Sequence, residues 1–148
     1  MTDPDFKPIL EDVYAMLSGP PGPRDYDRVR HYYHPDARLI RTGMTEEGEF
    51  FAQVMSLDDH ARDVNALLSD TAFVEEEIAH EAEVFGSVAR VTSIYRYCFG
   101  DGHGAEAGRG VNLYSFYFDG ETWKAIACVW ANEREGFSLN DALRVVGV

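Results

Sequence analysis

Apolar residues recur along the first part of the chain at a spacing of three to four residues, which is the period of an amphipathic helix. Residues 5–19 follow this pattern and end at the Gly-Pro-Pro run that begins at Gly19. Residues 24–34 repeat it, and we expect a second helix that ends before Pro35, because the residue preceding a proline disfavours helical backbone angles. A short strand over residues 37–43 is predicted next.

The middle of the chain contains one clear helix and one ambiguous segment. Residues 45–55 open like a helix with Thr45 as N-cap, but Gly48 lowers their helix propensity. Residues 56–70 give the better pattern, since Ser56 is a capping residue and two aspartates follow it near the positive end of the helix dipole. The apolar face of this predicted helix consists of Leu57, Ala61, Val64, Leu67 and Leu68.

In the second half of the chain the period changes to two, which is typical of strands. Strands are predicted over residues 72–85 and 87–99. A glycine-rich loop at 100–110 follows, and then a β-hairpin over 109–130 that turns at an Asp-Gly pair. Helices that precede an antiparallel sheet define the α+β class, which is the predicted fold class.

Strand alternation separates an inner from an outer face along residues 87–99. The more apolar set, which we expect to face the core, is Ala89, Val91, Ser93, Tyr95, Tyr97 and Phe99. The opposite set is Val88, Arg90, Thr92, Ile94 and Arg96. In the last strand of the hairpin, alternation groups Ile126 with Cys128 and Trp130 on one face. It places Trp123, Ala125, Ala127 and Val129 on the other.

Composition limits the partners of the protein. The chain has 148 residues, which suits one compact domain over residues 1–148, and its 26 acidic and 13 basic residues give a net charge of −13. Nucleic acid and membrane surfaces are therefore not expected as partners, because both are bound through clustered Lys and Arg. The opening residues lack the pattern of a secretory signal, and we expect a cytoplasmic protein in which Cys98 and Cys128 are free thiols rather than a disulfide.

Two segments carry a resemblance to a known family. They are "YYHPDARL", which closes the second predicted helix, and "RGVNLYSFYFDGETWKAIACVW", which closes the sheet. The chain resembles the nuclear-transport-factor-2-like (NTF2-like) superfamily, including its polyketide-cyclase, ketosteroid-isomerase and bacterial branches of unassigned chemistry. The resemblance covers nearly the whole chain. It implies N-terminal helices packed in a strongly curved antiparallel or mixed sheet that forms a cone with one open pocket. It also implies a homodimer through the outer sheet face, and no cofactor is expected.

The pocket residues follow from this resemblance and from strand alternation. With Tyr95 and Tyr97 facing inward, the hairpin places Asn112, Tyr114, Phe116 and Phe118 on the inner face. Its outer face is then Val111, Leu113, Ser115 and Tyr117. The expected ligand is a small hydrophobic or aromatic molecule. Its predicted contacts are Tyr14, Tyr33, Tyr95, Asn112, Tyr114 and Trp130.

Ketosteroid isomerase uses an Asp base and an oxyanion hole made of a Tyr and a protonated Asp. Tyr14 matches the tyrosine of the first helix, and Tyr114 lies near the position of the protonated Asp. Arg41 or Thr42 stands where the base would be, so the isomerase reaction lacks its base in this chain. Tyr14 and Tyr114 either bind a ligand carbonyl or are buried phenols with local partners.

Other side chains are candidates for acid–base catalysis. His34 with Asp36 forms one such pair; alternatively the two groups cap the helix end and stay solvated, or they bind a divalent metal with His31. We predict no metal site. Glu77 belongs to three consecutive glutamates, and either one of them points inward with a raised pKa, as a base would, or all three are solvated. His80 lies on the opposite face of an ideal strand, so a Glu77–His80 pair would require a β-bulge.

Two further residues have open roles. His60 is expected at the surface of the predicted long helix. Arg109 ends the glycine-rich loop, which we expect to be a flexible lip of the pocket, and Arg109 binds either a ligand carboxylate or a surface acid.

Three functions are compatible with these features. The first is a small-molecule-binding domain of unassigned chemistry. The second is a cofactor-free isomerase, dehydratase or cyclase with a tyrosine as oxyanion donor. The third is a dimerisation or interaction module whose cavity is filled by side chains. A titratable group within hydrogen-bond reach of a cavity would favour the second function.

Overall fold

The computed structural model describes residues 3–100 and 106–140. Its helices and strands, in chain order, are α1 (Lys7–Leu17), β1 (Tyr33–Met44), β2 (Phe50–Met55), α2 (Leu57–Leu67), β3 (Phe73–Phe85), β4 (Val88–Phe99), β5 (Ala107–Phe118) and β6 (Trp123–Asn132). The six strands form one open sheet in the order β2-β1-β6-β5-β4-β3. Strands β1 and β6 are parallel, whereas all other neighbours are antiparallel. The predicted α+β class and mixed sheet are confirmed.

The helices cover one face of the sheet, which we call the inner face. Helix α1 packs against β3, and α2 packs against β1 and β2. Phe6, just before α1, lies with its ring 4.7 Å from that of Phe116 and 5.6 Å from that of Trp123. These contacts close one end of the inner face with aromatic side chains, which is consistent with the narrow end of an NTF2-like cone.

The prediction of a second helix over residues 24–34 is wrong. Residues Tyr26–Arg28 and Arg30–Tyr32 form two 3-10 turns, and β1 already begins at Tyr33. The buried side chains of Tyr26 and Val29 are three residues apart. This spacing fits the 3-10 period as well as the α-helical one, so the apolar pattern did not distinguish between them. His34 and Asp36 consequently lie on a strand rather than at a helix end.

The segment at 45–55 is a turn and a strand, not a helix. Gly48 has a φ of 87°, a left-handed conformation that glycine adopts readily. The turn lets the backbone N–H of Thr45 donate to the carbonyl of Glu49 at 2.8 Å, and β2 then returns antiparallel to β1. The predicted cap of α2 is confirmed, because Ser56 accepts a hydrogen bond from the backbone N–H of Asp59, whose carboxylate accepts one from the N–H of Ser56.

Two β-bulges change the predicted alternation. In β3 the pairing with β4 skips Ile78, so that Glu77 and His80 lie on the same face. In β6 the pairing with β5 skips Ile126, so that Ile126 does not share a face with Cys128, contrary to the prediction. An extra residue in a strand reverses the alternation beyond it.

The inner and outer faces of β4 and β5 follow the prediction. The residues of β4 predicted to face the core include Ala89, Val91, Ser93 and Tyr95, all of them buried. Asn112, Tyr114 and Phe116 of β5 are buried as well, whereas Leu113 is 46% exposed. Strand β5 begins at Ala107, so the end of the predicted lip is part of the sheet, and its residues 101–105 lie outside the described residues.

Neither helix among the described residues has the length and apolar character needed to cross a bilayer. Cys98 on β4 and Cys128 on β6 are free thiols.

Candidate functional site

A cavity of about 440 Å³ opens between the helices and the inner face of the sheet. Its walls come from α1, α2 and every strand except β2. Most of the lining side chains are apolar or aromatic. Polar groups reach it from a few positions, namely Arg41, His60, Asp63, Glu75, Asn112 and Asn132 together with several tyrosine hydroxyls. A concave, mainly apolar space with few polar groups is the usual form of a small-molecule site.

An aromatic cluster forms one wall of the cavity. It consists of Phe73 on β3 and Tyr95, Tyr97 and Phe99 on β4, which the antiparallel register brings side by side. The ring of Phe73 lies 4.8 Å from that of Phe99 and 6.5 Å from that of Tyr97. Tyr95 and Tyr97 are 6.3 Å apart. These distances are typical of interacting aromatic pairs, so the wall is a packed surface.

Glycines of β5 make room for this wall. A Cβ at Gly110 would lie 2.2 Å from the hydroxyl oxygen of Tyr95, and one at Gly108 would lie 2.6 Å from that of Tyr97. Both distances are far below van der Waals contact. The "GRG" sequence at 108–110 therefore lets the tyrosine rings lie across the neighbouring strand. The Tyr95 hydroxyl then donates to Oδ1 of Asn132 at 2.6 Å.

Besides Asp63, which is paired with Arg41, the described cavity lining contains one carboxyl group, that of Glu75. It lies directly opposite Tyr97 in the register of β3 and β4. Its side chain is half-buried in the wall, and this burial raises its pKa to about 8. Within the described residues no hydrogen-bond donor contacts its carboxyl oxygens, although its backbone N–H and carbonyl both bond the Ser18 hydroxyl, at 2.9 and 3.1 Å. Glu75 is thus a fixed, unpartnered acid that is mostly protonated at neutral pH.

His60 is buried and lines the same cavity, so its predicted surface position is wrong. Its Nδ1 is 3.0 Å from the hydroxyl of Tyr26, and its ring centre is 5.4 Å from that of Trp130. Burial, together with the nearby Arg41 guanidinium, lowers its pKa to about 4. The imidazole is therefore neutral at physiological pH.

A chain of hydrogen bonds runs behind the cavity wall. The Nδ2 group of Asn112 donates to the hydroxyl of Tyr14 at 3.0 Å, and that hydroxyl is 2.7 Å from Oγ of Ser93. Ser93 donates to a carboxylate oxygen of Glu77, whose other oxygen is 2.5 Å from Nδ1 of His80. Every group in this chain has a partner, so it holds the Asn112 amide in one orientation.

The mouth of the cavity carries a paired charge. Nη1 of Arg41 is 2.6 Å from a carboxylate oxygen of Asp63, and its guanidinium lies 5.7 Å from the ring centre of Trp130. Leu67 on the rim is 56% exposed.

The phenols and the thiol in the interior are neutral at pH 7, since burial raises the pKa of the phenols and of the Cys128 thiol. These phenols are Tyr14, Tyr26, Tyr33, Tyr95 and Tyr114.

The structure brings together most of the residues predicted to contact a ligand. The cavity is lined by Tyr33, Tyr95, Asn112, Tyr114 and Trp130. Tyr14 lies one hydrogen bond behind Asn112. Arg109 is not among the lining residues; its guanidinium donates to both carboxylate oxygens of Glu133, at 3.1 and 2.8 Å. Of the two alternatives for Arg109, the structure has the surface pair.

The predicted acid–base residues lie elsewhere than the cavity lining. His34 accepts a hydrogen bond at Nδ1 from the backbone N–H of Asp36 at 2.9 Å, and its ring packs on Tyr117. His31 packs on Tyr32 instead, so the two imidazoles do not form a pair. Residues 3–100 and 106–140 contain no group of three potential metal ligands that includes them. Glu77 contacts His80 and Ser93 behind the wall, across the required bulge.

Sequence analysis missed Glu75 and His60 as cavity residues. For the run of three glutamates, the sequence left open whether one pointed inward or all were solvated, and the candidate named was Glu77 rather than Glu75. His60 stands among charged residues of α2, a pattern that indicates a solvated face. Its position one turn before Val64, which is buried, was the available signal.

The geometry defines an α+β protein with helices packed on an open mixed sheet and a cavity between them.

No family model and no curated protein sequence matches the chain. The β subunit of benzoate 1,2-dioxygenase from Burkholderia mallei matches with a TM-score of 0.66 and 15% identity, over 93% of this chain and 97% of that one.

Two NTF2-like structures match in the same way. An NTF2-like protein from Pseudomonas putida gives a TM-score of 0.64 at 14% identity, over 90% of this chain and 89% of that one. A nuclear transport factor 2 superfamily protein from Salmonella enterica gives 0.63 at 10% identity, over 86% and 87%. The chain therefore has the NTF2-like fold, and the resemblance predicted from the sequence is confirmed at the level of the fold.

Proposed function

We propose that the protein binds a small hydrophobic or aromatic molecule in the cavity between its helices and its sheet. The observation that carries this proposal is the cavity itself. Its volume of about 440 Å³ lies within the range of known small-molecule sites, and aromatic side chains form much of its wall. The fully hydrogen-bonded chain behind Asn112 supports it, because a fixed amide at the wall is a selective contact for a polar group of the ligand.

A thermal-shift screen of purified protein against hydrophobic ketones, sterols, aromatic acids and aromatic amines tests the proposal. A ligand at 100 times its dissociation constant stabilises the folded state by about 2.7 kcal/mol, which a thermal shift detects. Binding is confirmed by tryptophan fluorescence, because Trp130 lines the cavity whereas Trp123 packs on Phe6 and Phe118. A Trp123→Phe background leaves Trp130 as the reporter.

Two matched variants test whether ligands enter this cavity: one changes its mouth, and the other adds the same side chain away from the cavity. Leu67→Trp narrows the rim, because Leu67 lines the cavity and is largely exposed. As the matched control, Val54→Trp adds the same side chain at an exposed position of β2, a strand that does not line the cavity. Because both variants add a tryptophan, their binding is measured by thermal shift. Binding weakened in the first variant and retained in the second supports the cavity as the site. A panel without any hit, or hits that both variants bind equally, argues against the proposal.

Acid–base catalysis without a cofactor is the second candidate function, and the neutral Glu75 and His60 favour it. Their pKa values are shifted in opposite directions, to about 8 and about 4, and both line the cavity. Groups with separated pKa values are suited to act as acid and base in an isomerase, dehydratase or cyclase. Its test is turnover of a bound hit at saturating concentration, which Glu75→Gln should abolish.

We further propose that a homodimer forms through the outer face of the sheet. Val88, Leu113 and Ile126 are exposed there, at 52%, 46% and 37%. Sedimentation equilibrium of the protein and of Leu113→Glu tests this: a dimer that the variant dissociates supports the proposal, and a monomer at all concentrations contradicts it.

The third function, an interaction module whose cavity is filled by side chains, does not fit the open space beside Glu75.

A further inference from the structure

We propose that the molecule bound in the cavity is an organic cation, an amine with an apolar or aromatic body, and that Glu75 is its counter-ion. This inference rests on the proposed small-molecule site and names the chemistry of its ligand. It is carried by the position of one carboxyl group, which has no hydrogen-bond donor among the described residues, beside four aromatic rings.

The register of β3 and β4 surrounds Glu75 with aromatic side chains. Tyr97 lies directly opposite it, Phe73 is two residues before it on the same face, and Phe99 is opposite Phe73. Tyr95 is the next inward residue on β4, with its ring 6.3 Å from that of Tyr97. Aromatic faces attract cations and not anions, so the surroundings of this carboxyl group match an ammonium ion.

Glu75 is held in place by its backbone rather than by its carboxyl group. The hydroxyl of Ser18, at the C-terminal end of α1, bonds both the N–H and the carbonyl of Glu75. No donor among the described residues reaches the carboxyl oxygens. A fixed carboxyl group with free acceptor positions in an otherwise satisfied wall is completed by a ligand that donates hydrogen bonds, and a protonated amine supplies them with a compensating charge.

Charge elsewhere in the molecule favours a cation over an anion. The net charge of −13 attracts cations to the protein and repels anions. Arg41, the cationic side chain that lines the cavity, is already paired with Asp63. An anionic ligand would therefore meet Glu75 without a free positive charge in the described part of the cavity.

Among the described lining residues with shifted pKa values, Glu75 is the one whose pKa falls between about 6 and 9. Raised pKa values keep these phenols neutral: Tyr14, Tyr26, Tyr33, Tyr95, Tyr97 and Tyr114. Burial does the same for the Cys128 thiol, and His60 has a pKa of about 4. The other ionisable neighbours are Arg41 and Asp63 at the rim, Glu77 and His80 behind the wall, and Glu106, whose charge acts on Tyr97.

The sign of the pH dependence separates the amine from a neutral ligand. A cation binds the ionised form of Glu75, so its affinity falls by about tenfold for each pH unit below the pKa of this group. A neutral ligand that accepts a hydrogen bond from the carboxylic acid binds more weakly above that pKa. The two ligand classes therefore give opposite slopes over the same pH range.

The experiment measures dissociation constants by calorimetry and by Trp130 fluorescence at four pH values between about 6 and 9. The probes are 2-phenylethylamine, benzyltrimethylammonium, which has no proton to lose, and the neutral analogue 2-phenylethanol. The variants are Glu75→Gln and, as matched control, Glu76→Gln. Glu76 is the adjacent residue, exposed and paired with Arg96, so its substitution makes the same chemical change in the same strand without entering the cavity.

We expect both cations to bind the wild type and Glu76→Gln, with affinity that rises up to about pH 8 and then levels off. Glu75→Gln should bind them about tenfold more weakly or worse, without this pH dependence. At pH 7, calorimetry in buffers of different ionisation enthalpy should show the release of close to one proton. The alcohol should bind the wild type about tenfold more weakly than the amine does. To Glu75→Gln, the alcohol and the amine should bind with equal affinity.

Different outcomes overturn the inference and the proposed function. If the alcohol binds as well as the amine and loses affinity at high pH, Glu75 is a donor to a neutral ligand; the site stands and the amine inference fails. Cations that bind Glu75→Gln as well as the wild type also overturn the inference. If no compound of the wider screen binds, the small-molecule site itself is wrong.

Discussion

Tyr95 lies across Gly110, and its hydroxyl occupies the space that a side chain at Gly110 would need. The hydroxyl oxygen is 2.2 Å from the ideal Cβ position of Gly110 and 2.6 Å from Oδ1 of Asn132. This contact joins β4, β5 and β6 at the wall of the cavity.

Gly110→Ala is accordingly expected to displace the Tyr95 ring and to break its hydrogen bond with Asn132. The added methyl group meets a buried ring and should destabilise the fold by about 1–3 kcal/mol, measured by urea unfolding. Gly108→Ala is the matched control. Its Cβ meets the end of the less buried Tyr97 side chain, which is able to turn away, so its effect should be smaller. Equal effects of the two substitutions would contradict this account.

Glu75→Gln should stabilise the protein relative to the wild type, and increasingly so as the pH rises. The folded-state pKa of Glu75, about 8, lies above its ordinary value of 4.5, so the folded state binds more protons than the unfolded state between these values. Wild-type stability therefore falls with rising pH in this window, by at most about 1.4 kcal/mol per pH unit from this group. Unfolding curves of both proteins at several pH values measure the difference. A constant difference from pH 5 to 8 would show that Glu75 is solvated.

His60 should remain neutral to a lower pH than an ordinary histidine. Its folded-state pKa of about 4 lies below the ordinary 6.5, so the unfolded state binds more protons in between, and stability falls as the pH drops through this range. NMR titration of the imidazole protons, with the resonance assigned by His60→Gln, measures the pKa. A midpoint near 6.5 would place His60 in contact with solvent and would remove it from the candidate acid–base groups.

Tyr14→Phe should destabilise the protein by about 1–3 kcal/mol, because it leaves the Nδ2 group of Asn112 without its acceptor and removes one of the two hydrogen bonds of the Ser93 hydroxyl. Tyr117→Phe is the control: its hydroxyl makes no hydrogen bond within the part of the chain that is described. Chemical denaturation compares the two. The double variant Tyr14→Phe with Ser93→Ala should cost less than the sum of the single variants, since both belong to one chain of hydrogen bonds. Strict additivity would show that the chain does not act as a unit.

The sequence predicted the parts of this molecule that depend on local repetition. The two-residue period identified Tyr95, Asn112 and Tyr114 as inward-facing, and the cap of α2 was visible in Ser56. Bulges at Ile78 and Ile126 were not visible, because one extra residue leaves the composition of a strand unchanged and reverses the direction of all side chains beyond it.

The candidate site was harder to predict for a related reason. His60 lies on a helix whose polar pattern is typical of a solvated face, yet that face meets a cavity rather than bulk water. Sequence periodicity distinguishes apolar from polar surroundings, and a polar side chain in an internal space looks the same as one at the surface. The roles proposed for His34, Asp36 and Glu77 required contacts between distant segments, which a single sequence does not provide.

Strand β3, which carries Glu75, is an edge strand of the open sheet. On its free side it is held at Phe73 by the bridge to Gly19 and at Glu75 by Ser18. Beyond these two tethers, the described residues make no further backbone hydrogen bond to the free side of β3. Glu75 therefore lies on a strand that has a strand neighbour on one side only, so a ligand that binds it contacts the border of the sheet rather than its centre.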